Sequence, residues 1–297
     1  MNGTLRPAFD LAGTLDTISG FMYTYVLVAL LIGAGLYFFI RTRAIPLRLF
    51  KEAIRVVTEP PHEEGEVSSF RALMVSTASR VGVGNIAGVA TAVTAGGAGA
   101  VFWMWVIATI GGASAFIEST LAQIYKKRGP HHSYGGPAYY IQRGLGSKPA
   151  AKLFAVVITF VFGFAYEATQ ANTIAATMES TFHVEPWMTA VALVVITTPI
   201  IFKGIKSVAV VSEWLVPIMT VVYALIAVAI LVLHASAIPE AIVSIFEGAF
   251  GVNQAFAGTA GGLFAAALNG VKRGLFSNEA GEGSVPNIAA TATVSHP

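Results

Sequence analysis

A hydrophobic span from about Ser69 to Ala95 is long enough to cross a bilayer, yet its middle reads GVGNIAGV (Gly82 to Val89), with further Gly, Ser and Thr on either side. In hydrocarbon no water is at hand for an unpaired peptide N–H or C=O. Irregular backbone at that depth therefore persists only where it lines a cavity or holds a ligand or ion. A membrane helix that places glycines and an asparagine at mid-depth is expected to open its backbone there, which is the pattern of a transporter site.

The remainder of the chain puts this span in a membrane. Its 297 residues are 55% hydrophobic and 11% charged, with a mean hydropathy of +0.69, whereas a soluble domain carries about 25% charge. Crossing roughly 30 Å of hydrocarbon takes about 20 helical residues. Stretches of that kind fall near 20–40, 69–95, 99–125, 152–178, 186–202, 207–233 and 243–271. The expected fold is an all-α polytopic membrane protein with about seven transmembrane helices. The last stretch is interrupted by GVNQ (Gly251 to Gln254) and GTAGG (Gly258 to Gly262), so it reads as a second broken helix. Two broken spans in one chain point to an inverted-repeat transporter.

Several function classes drop out. The chain has no cysteine and a formal charge of only +2, so disulfides, thiolate metal sites and a nucleic-acid partner are not expected. Asp10 and Asp16 stand before the first apolar stretch without a basic region, so that stretch is expected to remain as a helix rather than be cleaved. His62, His131, His132, His183, His234 and His296 fall in loops or at span ends, leaving no catalytic set at depth, and an enzyme is not expected. The connections after spans one, three and five carry Arg41, Arg43, Arg48, Lys51 and Arg55, then Lys126, Lys127, Arg128, Arg143 and Lys148, then Lys203 and Lys206. The alternate connections carry no Lys or Arg. Basic loops stay in the cytoplasm, so the N-terminus is expected outside, in the plasma (inner) membrane. Lys272 and Arg273 are placed just after span seven, also inside.

Five blocks then carry a resemblance: GVGNIAGVATAV (Gly82 to Val93), GGAGAVFWMW (Gly96 to Trp105), GGPAYYIQRGLG (Gly135 to Gly146), TQANTIA (Thr169 to Ala175) and RGLFSNEAGEGS (Arg273 to Ser284). In this order they closely resemble the sodium:alanine or glycine symporters, from about Leu31 to the last residue. The resemblance implies a LeuT-like inverted-repeat fold and sodium-coupled symport of a small neutral amino acid, alanine or glycine, into the cytoplasm by alternating access. It further implies that residues 1–297 form the first part of one such transmembrane domain. An extra N-terminal helix takes 20–40, the first five-helix repeat 69–233, and the start of the second repeat 243–297. Val83 stands where the family pattern has Thr, and Ala98 where it has Pro. A transport-inactive membrane protein and an ion channel sharing the fold are the alternatives.

A broken helix exposes N–H groups at one half and C=O groups at the other, so one end attracts a carboxylate and the other a cation. The expected substrate contacts are Gly82, Gly84 and Asn85 from the first broken span, with Gly258, Thr259, Gly261 and Gly262 from the last. Sodium, the co-transported ion, is assigned to oxygens of Val83, Asn85 and Thr259. Phe162, Tyr166, Gln170 and Thr173 recur at helical steps and share one face. Tyr166 and Gln170 are therefore added to the substrate wall, and Asn172 points elsewhere. The same glycines also suit close helix packing, and Gln170 equally suits a hydrogen bond to a neighbouring helix. Arg80 and Glu118 lie at matching depths and are expected to pair, as a gate or as a structural ion pair. Glu167 has no evident partner. Phe102, Trp103 and Trp105 are expected to anchor at the interface. The tract RGLFSNEAGEGS reads as a polar cytoplasmic gate or loop.

Overall fold

The computed structural model describes residues 11–59, 67–129, 133–251 and 261–294. Helix α1 runs unbroken from Leu11 to Arg41, with one wide π turn at Met22–Leu27. Arg43 and Ala44, both left-handed (φ 55° and 53°), then turn the chain into two short helices, α2 (Ile45–Arg48) and α3 (Phe50–Val57). Helix α4 (Ser69–Arg80) starts where Ser68 Oγ accepts from the Arg71 N–H at 3.1 Å, an N-cap that satisfies one of the free donors of the first turn. Helix α5 is Val83–Gly96 and α6 is Gly99–Ile124. A two-residue ribbon follows, β1 (Lys127–Arg128) antiparallel to β2 (Ser133–Tyr134), and leads into α7 (Pro137–Gly144).

Helix α8 spans Lys148–Phe182 with a second π turn at Val161–Tyr166. Helices α9 (Pro186–Phe202) and α10 (Ile205–Leu233) are joined at Gly204 (φ 81°). The described chain closes with α11 (Ile238–Phe250), α12 (Gly261–Asn278) and α13 (Ser284–Ala289). Among the described residues, four helices are long and apolar enough to cross a bilayer: Gly13–Arg41, Gly99–Ile124, Lys148–Phe182 and Ile205–Leu233. Pro186–Phe202 is a shorter apolar helix. The molecule is a multi-pass membrane protein. Its outer faces agree, since Phe160, Val195, Leu225 and their neighbours on α8, α9 and α10 are exposed apolar side chains.

The span expected at 69–95 is broken, and the break falls at Val81–Gly82, one turn earlier than the centre of the glycine motif. Span seven differs more. Its last helix starts at Gly261 and continues to Asn278, so Lys272 and Arg273 lie inside the helix rather than in a loop after it. Residues 252–260, with most of GVNQ and with Gly258 and Thr259, lie outside the described residues.

Helix α12 packs most extensively on α6, side by side and in the same direction. Gly270 meets Ala100 and Trp103, Gly274 meets Met104 and Ile107, and Ala280 meets Gly111. Gly270 is required by this approach, because a Cβ there would lie 2.7 Å from Trp103 Cβ. Small residues let membrane helices come this close, where the gain is van der Waals contact rather than hydrophobic burial. Helix α1 seals the other flank of the pair, with Val28, Leu31 and Ile32 on the cluster of Ile107, Val271 and Leu275. Phe102 and Trp103 pack against α11. Phe102 meets Phe246 and Phe250 at 5.6 and 5.0 Å, and the Trp103 indole N–H donates to Ala249 O at 3.3 Å. Trp105 remains half exposed.

Candidate functional site

After Asn278 the helix stops. Glu279 is left-handed (φ 50°), Gly281 and Gly283 both have φ 88°, and α13 begins at Ser284. This second break, Glu279–Gly283, faces the first. Gly96 lies against Asn269 and Ala265, Gly84 against Phe276 and Ser277, and Ser79 reaches Glu279 at 3.2 Å. Ala72 packs with Ala292 and Ile288. The α4–α5 and α12–α13 spans therefore run antiparallel, with their openings side by side, near the middle of the 26-residue α6 at Gly111.

The joint between the openings is Asn85. Its Nδ2 donates to the carbonyl of Arg80 at the end of α4, and its Oδ1 accepts from the hydroxyl of Ser277 on α12. A broken helix leaves carbonyls without the N–H four residues on, and the Asn85 amide takes one of them. Gly84 allows this proximity, since a Cβ there would already be 3.3 Å from Ser277 Cα and 3.4 Å from the Phe276 ring.

Helix α8 forms the third wall. Gln170 Oε1 accepts from the Val83 N–H at 3.2 Å, a free donor of the first turn of α5, and its amide fills the space beside Gly82. In this state Gln170 is thus hydrogen-bonded to the neighbouring helix. The Tyr166 ring stacks between Phe162 (4.6 Å) and Phe276 (5.2 Å), and its hydroxyl donates to Glu282. The spacing argument for one shared face holds for Phe162, Tyr166 and Gln170. The π turn ending at Tyr166 sits where α8 meets the two breaks, a common place for such turns. A cavity of about 760 Å³ runs along the first break, lined among others by Ser79, Val81, Gly82, Val83, Gln170 and Thr173. The Glu167 side chain also lines it and has no ion pair among the described residues.

Three expectations are corrected here. Gly261 and Gly262 begin α12, 16 residues before Ser277, which is roughly 24 Å along a helix axis, so they cannot share a site with Gly82–Asn85. The opening opposite Gly82 is made instead by the tract that reads as a polar cytoplasmic loop. Glu279 is only 3% exposed and accepts from Ser79 and Ser284, the latter at 2.6 Å. Nor do Arg80 and Glu118 form a direct ion pair. Glu118 accepts from the Gly281 N–H at 3.3 Å, and Nε and Nη2 of Arg80 are buried with no hydrogen-bond partner among the described residues. Ser277, Glu279 and Glu282 escape sequence reasoning as individual site residues. Their signal is the alternation of Gly with Glu in NEAGEG.

Two helices opened beside each other and walled by a third are the arrangement in which broken membrane helices line a cavity. The chain belongs to the sodium:alanine symporter family, whose pattern matches residues 9–297. It is 49% identical to the amino-acid carrier protein AlsT of Bacillus subtilis over 94% of this chain and 59% of that protein. It is 44% identical to the putative sodium/proton-dependent alanine carrier protein YrbD of the same organism, over 97% and 59%. Identity to the sodium/alanine symporter AgcS of Methanococcus maripaludis is 36%, over 97% and 65%. The chain thus spans about three fifths of the length of the curated relatives it matches.

Proposed function

We propose that this chain carries the substrate and ion site of a sodium-coupled symporter for small neutral amino acids, alanine or glycine, taken into the cytoplasm by alternating access. The observation that carries the reading is the pair of antiparallel broken spans joined at Asn85 and Ser277. The antiparallel pair is what a LeuT-like inverted repeat would place at its centre. The N-terminus is assigned to the outside of the plasma membrane from the basic loops.

In this reading the substrate carboxylate docks at the start of α5, where the N–H groups of Gly82–Gly84 and the positive helix pole face it. Gln170, now bonded to Val83 N–H, yields that donor to the carboxylate. The ammonium group faces the carbonyl end of α12 around Ser277. Sodium, a hard cation, takes oxygens of Val83 and Asn85; Thr259, outside the described residues, is the remaining assigned ligand. Gly82 and Gly84 leave no side chain between backbone and substrate. Gly261 and Gly262 have no part in this site.

The test is binding of labelled alanine to the chain in proteoliposomes, with sodium or with choline. Saturable binding that requires sodium, and is weakened in Asn85→Ala, is expected. Binding independent of sodium, or sodium current without any amino acid, would replace symport by another carrier or by a channel.

A further inference from the structure

We propose that α2 and α3 form an interfacial anchor that binds anionic phospholipid headgroups where α1 leaves the membrane. The placement follows from the chain. Helix α1 is apolar for 29 residues and ends at Arg41. The left-handed pair Arg43 and Ala44 turns the chain back, Ile45 is buried, and the Pro46 ring sits 3.5 Å from the Cβ position of Gly112 on α6. This pin holds α2 against the flank of a membrane-spanning helix and keeps it out of bulk water.

What faces outward is two-sided. Leu47, Phe50 and Ile54 are 64%, 62% and 54% exposed. Phe50 and Ile54, four apart, share one face of α3, and Leu47 is an exposed apolar residue of α2. Arg48, Lys51 and Arg55 are each one residue further on, about 100° round the helix. An apolar stripe beside a basic one is the pattern of a helix lying in the headgroup region, its apolar side dipping roughly 5–10 Å toward the acyl chains. The acids on the segment do not cancel the charge. Glu52 and Glu59 both pair with Arg55, at 2.9 Å in the case of Glu59. Arg41, Arg43, Arg48 and Lys51 have no ion pair among the described residues. Four cations without an ion pair among the described residues, set at a membrane surface, suit a negative headgroup, and long Arg and Lys stems reach it while their carbons cover apolar surface.

The cysteine-free sequence makes the test direct. The full chain, carrying a fluorophore on Ile54→Cys or on Glu52→Cys, is placed in nanodiscs of phosphatidylcholine or of an equal mixture with phosphatidylglycerol. The Ile54→Cys label is expected to be quenched by brominated acyl chains and the Glu52→Cys label by aqueous iodide. Phosphatidylglycerol retained through detergent purification should fall about fivefold for each charge removed in Arg48→Gln and Lys51→Gln, with phosphatidylcholine unaffected. Iodide quenching at Ile54→Cys would overturn the proposal. So would shielding from both quenchers, which would mean a protein partner or a second copy, and so would unchanged phosphatidylglycerol retention in the charge variants. None of these readouts depends on alanine transport.

Discussion

Asn85→Ala removes two hydrogen bonds at once, the one to the Arg80 carbonyl and the one from Ser277. Each neutral bond contributes about 1 kcal/mol net. Ser277 is buried, so any partner left unsatisfied adds to this loss and the sum of the two bonds is its lower bound. The summed loss is then about 2 kcal/mol, or about 30-fold in apparent alanine affinity. Ser277→Ala removes one of the two bonds and should cost about 1 kcal/mol, about fivefold. Because that bond is shared, the double variant should lose about 2 kcal/mol rather than about 3, a coupling of about 1 kcal/mol. The assay is alanine binding at fixed sodium for all four proteins, with thermal unfolding midpoints to show that each is folded. Strictly additive losses would mean that Asn85 and Ser277 act independently, and the joined-break account would fail.

Tyr166→Phe keeps both ring stacks but leaves the Glu282 carboxylate without its donor; uptake should fall roughly 10- to 100-fold with an unchanged unfolding midpoint, and a wild-type rate would remove Tyr166 from the site. Gly270→Ala places a methyl group 2.7 Å from Trp103 Cβ, so overpacking of about 1–3 kcal/mol should lower the unfolding midpoint; an unaltered midpoint contradicts the α6–α12 contact. Arg71→Gln breaks the 2.8 Å bridge from α4 to Glu213 on α10, whose side chains are 41% and 28% exposed, so stability should drop by at most about 1 kcal/mol and return in the Arg71→Glu, Glu213→Arg swap; a much larger loss would assign the pair a different role.

Residues 186–202 are legible as a helix with the bounds the structure has, because an uninterrupted apolar run has only one solution in lipid. GVGN announces the first break for the opposite reason, since glycine and asparagine in such a run have no use unless the backbone opens. The same logic passes over the break at Glu279–Gly283. GTAGG looks like an interruption at mid-span, whereas Lys272 and Arg273 mark their surroundings as water. Hydropathy assigns a polar residue to solvent whether its partner is water or another helix. Glu279 and Ser284, satisfied by Ser79 and by each other inside the bundle, carry the same sequence signature as a loop. Residue counting brings Arg80 and Glu118 to one region, but depth leaves rotation about the axis open, and Glu118 turns to the Gly281 N–H instead. Helical spacing does encode rotation, which is why Tyr166 and Gln170 can be found together.

Asn85 and its Ser277 partner are separated by 192 positions, and a ribosome adding 5–20 residues per second needs about 10 to 40 seconds to travel from one to the other. For that interval the Asn85 amide holds only the Arg80 carbonyl of its own span, and its oxygen has no Ser277 hydroxyl to accept from. The groove at the first break is therefore completed late in synthesis, when α12 and α13 bring the second break against α4 and α5.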